Sequence, residues 1–190
     1  MKIVIVPLFI FLLQFHIVGQ NAFISIGQGI SNLSSNYNHR YSCKYNFNLK
    51  GGFEKYYVKF GIRASFGYYN INSKIIEFNK NLNINSLKLS SGLLYKMTSN
   101  WMVLAQINVG KIFEKHLRIS SQSYNYDFDP IDISYSFEIA KKVNINQCNC
   151  YSFGLEFSKS VNGIIDHNFW QKDNLIPFYV NANIYYYFRK

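Results

Sequence analysis

From residue 178 to residue 188 the chain alternates without a break. Phe178, Val180, Ala182, Ile184, Tyr186 and Phe188 fall on one side of an extended backbone, and Tyr179, Asn181, Asn183, Tyr185 and Tyr187 on the other. A period of two marks a strand with two unlike faces; on a helix the same residues would be scattered around the axis. The pattern recurs upstream. Tyr151, Phe153, Leu155 and Phe157 oppose Ser152, Gly154, Glu156 and Ser158, while Ile131, Ile133, Tyr135, Phe137 and Ile139 oppose Asp132, Ser134, Ser136 and Glu138. Residues 56–69 set Tyr56, Val58, Phe60, Ile62, Ala64, Phe66 and Tyr68 against Tyr57, Lys59, Gly61, Arg63, Ser65 and Gly67. Comparable runs occupy 22–30, 41–49, 85–97 and 101–113, which makes eight expected strands.

The connections are of two kinds. Short ones fall at 50–54, 98–100 and 144–149; long ones cover 31–40, 70–84, 118–130 and 162–175. Short turns at one end and longer loops at the other describe an up-and-down barrel, and a chain that starts and ends on the short-turn side needs an even strand number. Pro130 and Pro177 stand at strand starts, where a missing ladder donor is tolerated. The expected fold is all-β: an eight-stranded antiparallel up-and-down barrel over residues 21–190.

Alternation alone also suits a soluble barrel of lipocalin type, with its apolar face inward around a ligand. Three features favour the opposite sense, a transmembrane barrel with a polar, filled lumen. Gly27, Gly29, Gly61, Gly67, Gly92, Gly110 and Gly154 all fall on the polar faces, and the narrow interior of an eight-stranded barrel is where small residues are needed. The polar faces also carry charges of both signs, Lys44, Lys59, Arg63, Lys88, Glu138 and Glu156, which a lumen would pair. Tyr56 and Tyr68, read on one face of one strand, mark the ends of an apolar band. On this reading Phe60 and Phe153 face lipid. Arg63 is expected to pair across the lumen with Glu156, with Glu138 as its next partner.

The first residues read as an export signal over 1–20: a basic Met1-Lys2, an apolar run from Ile3 to Leu13, and cleavage after Gly19 or Gln20. The formal net charge of +10 would suit nucleic acid in a cytoplasmic protein; in an exported one, phosphorylated lipid headgroups are the anionic neighbours and no nucleic-acid partner is expected. Cys43, Cys148 and Cys150 make an odd set, and a Cys-Asn-Cys ring is too tight to close, so no disulfide framework is expected.

The closing segment Asn181-Ala182-Asn183-Ile184-Tyr185-Tyr186-Tyr187-Phe188 resembles the C-terminal signal of small outer-membrane β-barrels, with aromatics at the last and third-last strand positions, here Phe188 and Tyr186. The whole mature chain is similar to the OmpA/OmpX-type barrels and to the porin-family outer-membrane β-barrel domain. That resemblance implies an outer-membrane location in a Gram-negative cell envelope. It implies as partners the barrel-assembly machinery, outer-membrane lipid and lipopolysaccharide, and an extracellular ligand met through the loops.

Catalytic chemistry is thinly represented. No nucleophile elbow, phosphate loop or His-Glu-x-x-His run occurs, and the histidines at 39, 116 and 167 lack metal-ligand spacing. Neither an enzyme nor a cofactor is expected. The best catalytic candidates are Asp166, His167, Asn168, Trp170 and Asp173, since some barrels of the resembled kind modify lipid A with loop residues at the rim. The acidic, aromatic stretch 124–129 could recognise a partner. The leading expectation is a structural or surface-interaction barrel without an open pore. A lipid-A-modifying rim enzyme, an accessory barrel of a secretion apparatus and a soluble lipocalin-like barrel are the alternatives.

Overall fold

The computed structural model describes residues 21–35, 41–76, 80–119, 122–124, 131–144, 150–161, 164–166 and 173–188. Eight strands form the wall: β1 (Asn21–Ser35), β2 (Tyr41–Tyr57), β3 (Phe60–Ile75), β4 (Lys80–Lys96), β5 (Trp101–Ile119), β6 (Ile131–Asn144), β7 (Cys150–Ser160) and β8 (Asp173–Phe188). Each is antiparallel to the next, and β1 pairs with β8 from Ala22↔Phe188 to Ser35↔Leu175, so the sheet closes on itself. Two three-residue strands extend it at the loop end, Gln122–Tyr124 against β5 and Ile164–Asp166 against β8. Closure leaves the wall without a free edge strand along its length.

The alternation sorts the side chains as a membrane barrel requires. On β6, Asp132, Ser134, Ser136, Glu138 and Ala140 are buried while Ile131, Ile133, Tyr135, Phe137 and Ile139 are exposed; β7 and β8 repeat the pattern. Phe60 and Phe153 point outward. The apolar faces therefore line the outside, the reverse of a lipocalin-like barrel. From Phe178 to Phe188 the outer face of β8 runs about 23 Å along the axis, at ~3.3 Å per residue and a tilt near 45°, against an apolar band of about 25 Å in barrels of this kind.

Toward the loops the sense inverts. Beyond Tyr68 the outer face of β3 turns polar with Asn70 and Asn72, and the Asn70 amide donates to Asn83 at 2.9 Å and to Asn85 at 2.6 Å. At the same level the interior turns apolar, where Leu33, Ile71, Leu82, Ile84 and Ile112 pack with Tyr69 and Tyr179. The wall is thus apolar outside along most of its height and polar outside at its loop end.

One expected boundary is corrected. Residues 50–54 are not a turn: β2 runs through Gly51-Gly52 to Tyr57, and the β2–β3 turn is Val58-Lys59. Gly52 is there for space, while a Cβ on Gly51 would meet only the Phe23 carbonyl at an ordinary 3.8 Å. A Cβ on Gly52 would strike the Ala64 carbonyl of β3. Tyr56 consequently belongs to β2, half-buried, with its hydroxyl donating to Glu54 at 2.8 Å. It does not share an outer face with Tyr68. The aromatics that rim the turn end are instead Phe60 with Tyr95, 5.2 Å between centroids, and Tyr151 with Tyr186, 5.3 Å; Phe47 and Phe113 flank Tyr68 at the other end.

Candidate functional site

The interior is where the chain concentrates its polar chemistry. Arg63 on β3 sits between two carboxylates. Its Nε donates to Glu54 Oε1 at 2.9 Å, its Nη2 contacts the same oxygen, and its Nη1 reaches Glu138 Oε2 at 3.2 Å. Glu54 is its cross-strand neighbour in the β2–β3 ladder, whereas Glu138 lies across the lumen on β6. A planar guanidinium suits that position because its fork serves two acceptors at once. Tyr185 and Tyr187 complete the cage: Tyr185 donates to Glu138 at 2.6 Å and Tyr187 to Glu54 at 2.9 Å. The guanidinium carbon lies 4.7 Å from the Tyr185 ring centroid.

Glu156, the expected partner of Arg63, is taken by another cation. Lys50 Nζ lies 2.7 Å from its Oε2, and the amides of Gln106 and Asn183 donate to it at 3.2 and 3.0 Å. The expected pairing of Arg63 with Glu156 is therefore wrong, for a local reason. Glu54, directly beside Arg63, reaches it without crossing the barrel, and Lys50 is free to reach β7. A third pair, Lys88 with Asp132 at 2.6 Å, lies nearer the loops, with the Ser160 hydroxyl donating to the second Asp132 oxygen at 2.6 Å. At the turn end Lys142 closes the set, 3.4 Å from Glu54 and donating to Tyr56 at 3.1 Å.

Arg63, Lys88, Glu138 and Glu156 thus lie in the lumen. Lys59 does not: it is exposed in the β2–β3 turn, displaced from the predicted strand by the longer β2. Lys44 is half-buried toward the loop end of β2, opposite Ser31, and joins none of the ion pairs among the described residues. Lys50 and Glu54 were missed because Gly51-Gly52 reads as a turn, although their even numbers continue the inward series of Asn46 and Asn48. Four carboxylates (Glu54, Asp132, Glu138, Glu156) meet four cations (Lys50, Arg63, Lys88, Lys142), so the interior is balanced in charge.

Glycine makes this packing fit. A Cβ on Gly67 would come within 2.8 Å of Lys50 Cγ, one on Gly110 within 2.8 Å of Lys88 Cγ, and one on Gly154 would strike the Glu138 carboxylate. The ion pairs run from β2 to β7, β3 to β6 and β4 to β6, so they cross the lumen.

Among the described residues no group of three or more His, Cys, Asp or Glu is placed to hold a metal. Cys43 is exposed and Cys150 buried, both as free thiols; Cys148 lies outside the described residues. So do His167, Asn168 and Trp170, while Asp166 and Asp173 face each other in the short ladder at the start of β8. Tyr124 ends the short strand beside β5, and 125–129 lie outside the described residues. The outer wall carries a groove of about 560 Å³ between β3 and β6, lined by Phe66, Leu87, Leu89, Val109, Lys111 and Ile131.

Solved structures with this fold include outer-membrane barrels. Neisserial surface protein A superposes with a TM-score of 0.54 at 7% identity, over 88% of this chain and 97% of that one. OprG of Pseudomonas aeruginosa gives 0.54 at 12% identity, over 90% and 97%. Ail of Yersinia pestis, an attachment invasion locus protein solved with a heparin analogue, gives 0.51 at 14% identity, over 90% and 100%. The fold is that of the small outer-membrane β-barrels. No family model matches the chain, and no curated protein matches it in sequence. The outward apolar band of β1–β8 surrounds the Arg63 and Lys50 networks, which lie inside the barrel.

Proposed function

We propose that the protein is an exported outer-membrane barrel of structural or surface-interaction type, closed to solute flow. The observation that carries the reading is the pairing of a continuous apolar exterior with an interior crossed by charge pairs. Such a wall is insoluble without lipid, and such an interior leaves no aqueous path. On this reading residues 1–20 are the export signal. Tyr186 and Phe188, stacked edge-on at 5.0 Å on the last strand, are read by the assembly machinery. The loop end faces outward toward lipopolysaccharide and whatever ligand the loops meet. Residues 166–173 act as a polar external loop, and no enzymatic activity is assigned to them.

The test uses the mature protein in detergent and in bilayers. The reading expects heat-modifiable migration on a gel, loss of solubility on detergent removal, and no porin-sized conductance in planar membranes. A protein that stays monomeric and soluble without detergent contradicts the membrane assignment. Reproducible large conductance contradicts the closed lumen.

A further inference from the structure

The ten acidic residues of the chain are distributed unevenly. Glu54, Asp132, Glu138 and Glu156 are buried in the lumen. Glu77, Glu114, Asp127, Asp129, Asp166 and Asp173 belong to the sequence segments of the loop end. The described residues of the opposite end (55–62, 93–104, 139–144, 150–153 and 184–188) contain Lys55, Lys59, Lys96, Lys141 and Lys142 and, past the buried Glu54 and Glu138 that border them, not one Asp or Glu. A net positive charge alone does not explain that asymmetry, because the loop end is rich in lysine as well.

The described lysines of the turn end are held on one rim. The Lys96 amide donates to the Lys59 carbonyl at 2.8 Å, and the Lys142 amide donates to the Asn100 carbonyl at 2.7 Å, so the two turns are joined to the strands beside them. On the outer side Lys55 lies 5.1 Å from the Tyr57 centroid and Lys141 5.6 Å from Trp101; Lys96 instead lies over the inward-facing Tyr56, at 3.9 Å. Lysines over a belt of Tyr and Trp lie at headgroup depth in a bilayer, and the one nearby carboxylate, Glu54, is fully buried and engaged by Arg63 and Lys142.

We propose that this rim is a docking surface for the phosphate headgroups of anionic phospholipid, held by Lys55, Lys59 and Lys141. The inference rests on the membrane reading above and adds to it a lipid preference at one end of the barrel. A bilayer headgroup is the occupant because Lys55 and Lys141 stand beside outward-facing Tyr57 and Trp101 where the apolar band ends, which is where a bilayer presents its phosphates. Lys96, over the inward Tyr56, and Lys142, committed to Glu54, take no part.

The test is fluorescence quenching by brominated lipid. The chain has two tryptophans, and Trp170→Phe leaves Trp101, on the rim itself, as the reporter. The mature variant is reconstituted in phosphatidylcholine bilayers, with brominated phosphatidylglycerol or brominated phosphatidylcholine as the quencher at equal mole fraction. The expected result is a preference for phosphatidylglycerol of about 3- to 10-fold at Trp101, lost in high salt. Replacing the three lysines (K55Q, K59Q, K141Q) should bring the ratio to about 1 while heat-modifiable migration is kept. Should the threefold variant not fold, K59Q and K141Q, both at exposed positions, are measured singly, and each should lower the ratio. Equal quenching by the two lipids, or a preference that survives lysine replacement, overturns the docking surface and leaves the membrane reading intact. Absence of quenching by either lipid overturns the membrane reading itself.

Discussion

Arg63, Lys50 and Lys88 are buried cations, and each is tolerable only because a carboxylate lies within hydrogen-bond reach. Removing one partner strands a charge in a low-dielectric interior, whereas removing both leaves neutral groups of similar shape. The Lys88–Asp132 pair gives the simplest case, since Asp132 otherwise has only the Ser160 hydroxyl among the described side-chain contacts. Lys88→Met should cost about 3–5 kcal/mol in urea unfolding, read as the folded fraction on cold gels. The double variant with Asp132→Asn should recover most of that loss. Equal stability of the single and double variants would mean the pair is not desolvated. At this scale the sequence was informative about which residues are charged and inward, Arg63, Lys88, Glu138 and Glu156. On partners it was half right, Glu138 being a partner of Arg63 as expected and Glu156 not, because pairing depends on the stagger between strands that are distant in sequence. Glu54 lies beside Arg63 only once β2 is known to continue past its glycines.

The β2–β3 hairpin shows where reading by element fails. A Gly-Gly pair between Lys50 and Phe53-Glu54 has turn composition, yet here Gly52 lies against the neighbouring backbone and the turn falls on Val58-Lys59. Val58 adopts φ 57°, a left-handed conformation that β-branched residues resist. It is 90% exposed, so its side chain gains little packing in return. Val58→Gly should therefore stabilise the barrel by about 1 kcal/mol, visible as a higher urea midpoint. A lower midpoint would show that the valine contributes contacts at the membrane surface that outweigh its strain. Other elements were legible within a few residues, β6 to β8 above all, because their alternation is uninterrupted and no glycine pair breaks it. The long strands were underestimated at their loop ends. There the outward face turns to Asn70, Asn72 and Asn83 while the inward face turns to Ile71, Leu82 and Ile84, and a segment whose faces exchange character reads as a loop.

For the whole molecule that exchange marks a boundary. Below it the barrel is apolar outside and carries the ion pairs within, with a small apolar cluster of Leu94, Met102, Leu104 and Ala140 at the turn end; above it the sense is that of a water-soluble barrel, with an apolar cluster inside the wall near the loops. Lipid should therefore cover the wall from the turn-end aromatics to about Tyr68 and no further. Charge on the outer face should then cost by depth. Leu155→Arg, cross-strand from Ala182 near the middle of the band, should lose about 2–4 kcal/mol, and Phe60→Arg, beside the β2–β3 turn, about 0–1. Equal penalties at the two sites would place the bilayer elsewhere. The central claim, lipid outside and a sealed polar interior, is tested most directly by spin labels placed singly along residues 133–140 of β6. The protein is reconstituted in bilayers with Cys43, Cys148 and Cys150 replaced. The account predicts that labels at Ile133, Tyr135, Phe137 and Ile139 are relaxed by oxygen and not by an aqueous nickel chelate. Labels at Ser134, Ser136, Glu138 and Ala140 should be shielded from both. Access of the chelate to the odd positions would contradict the lipid-facing wall, and its access to the even positions would contradict the closed lumen.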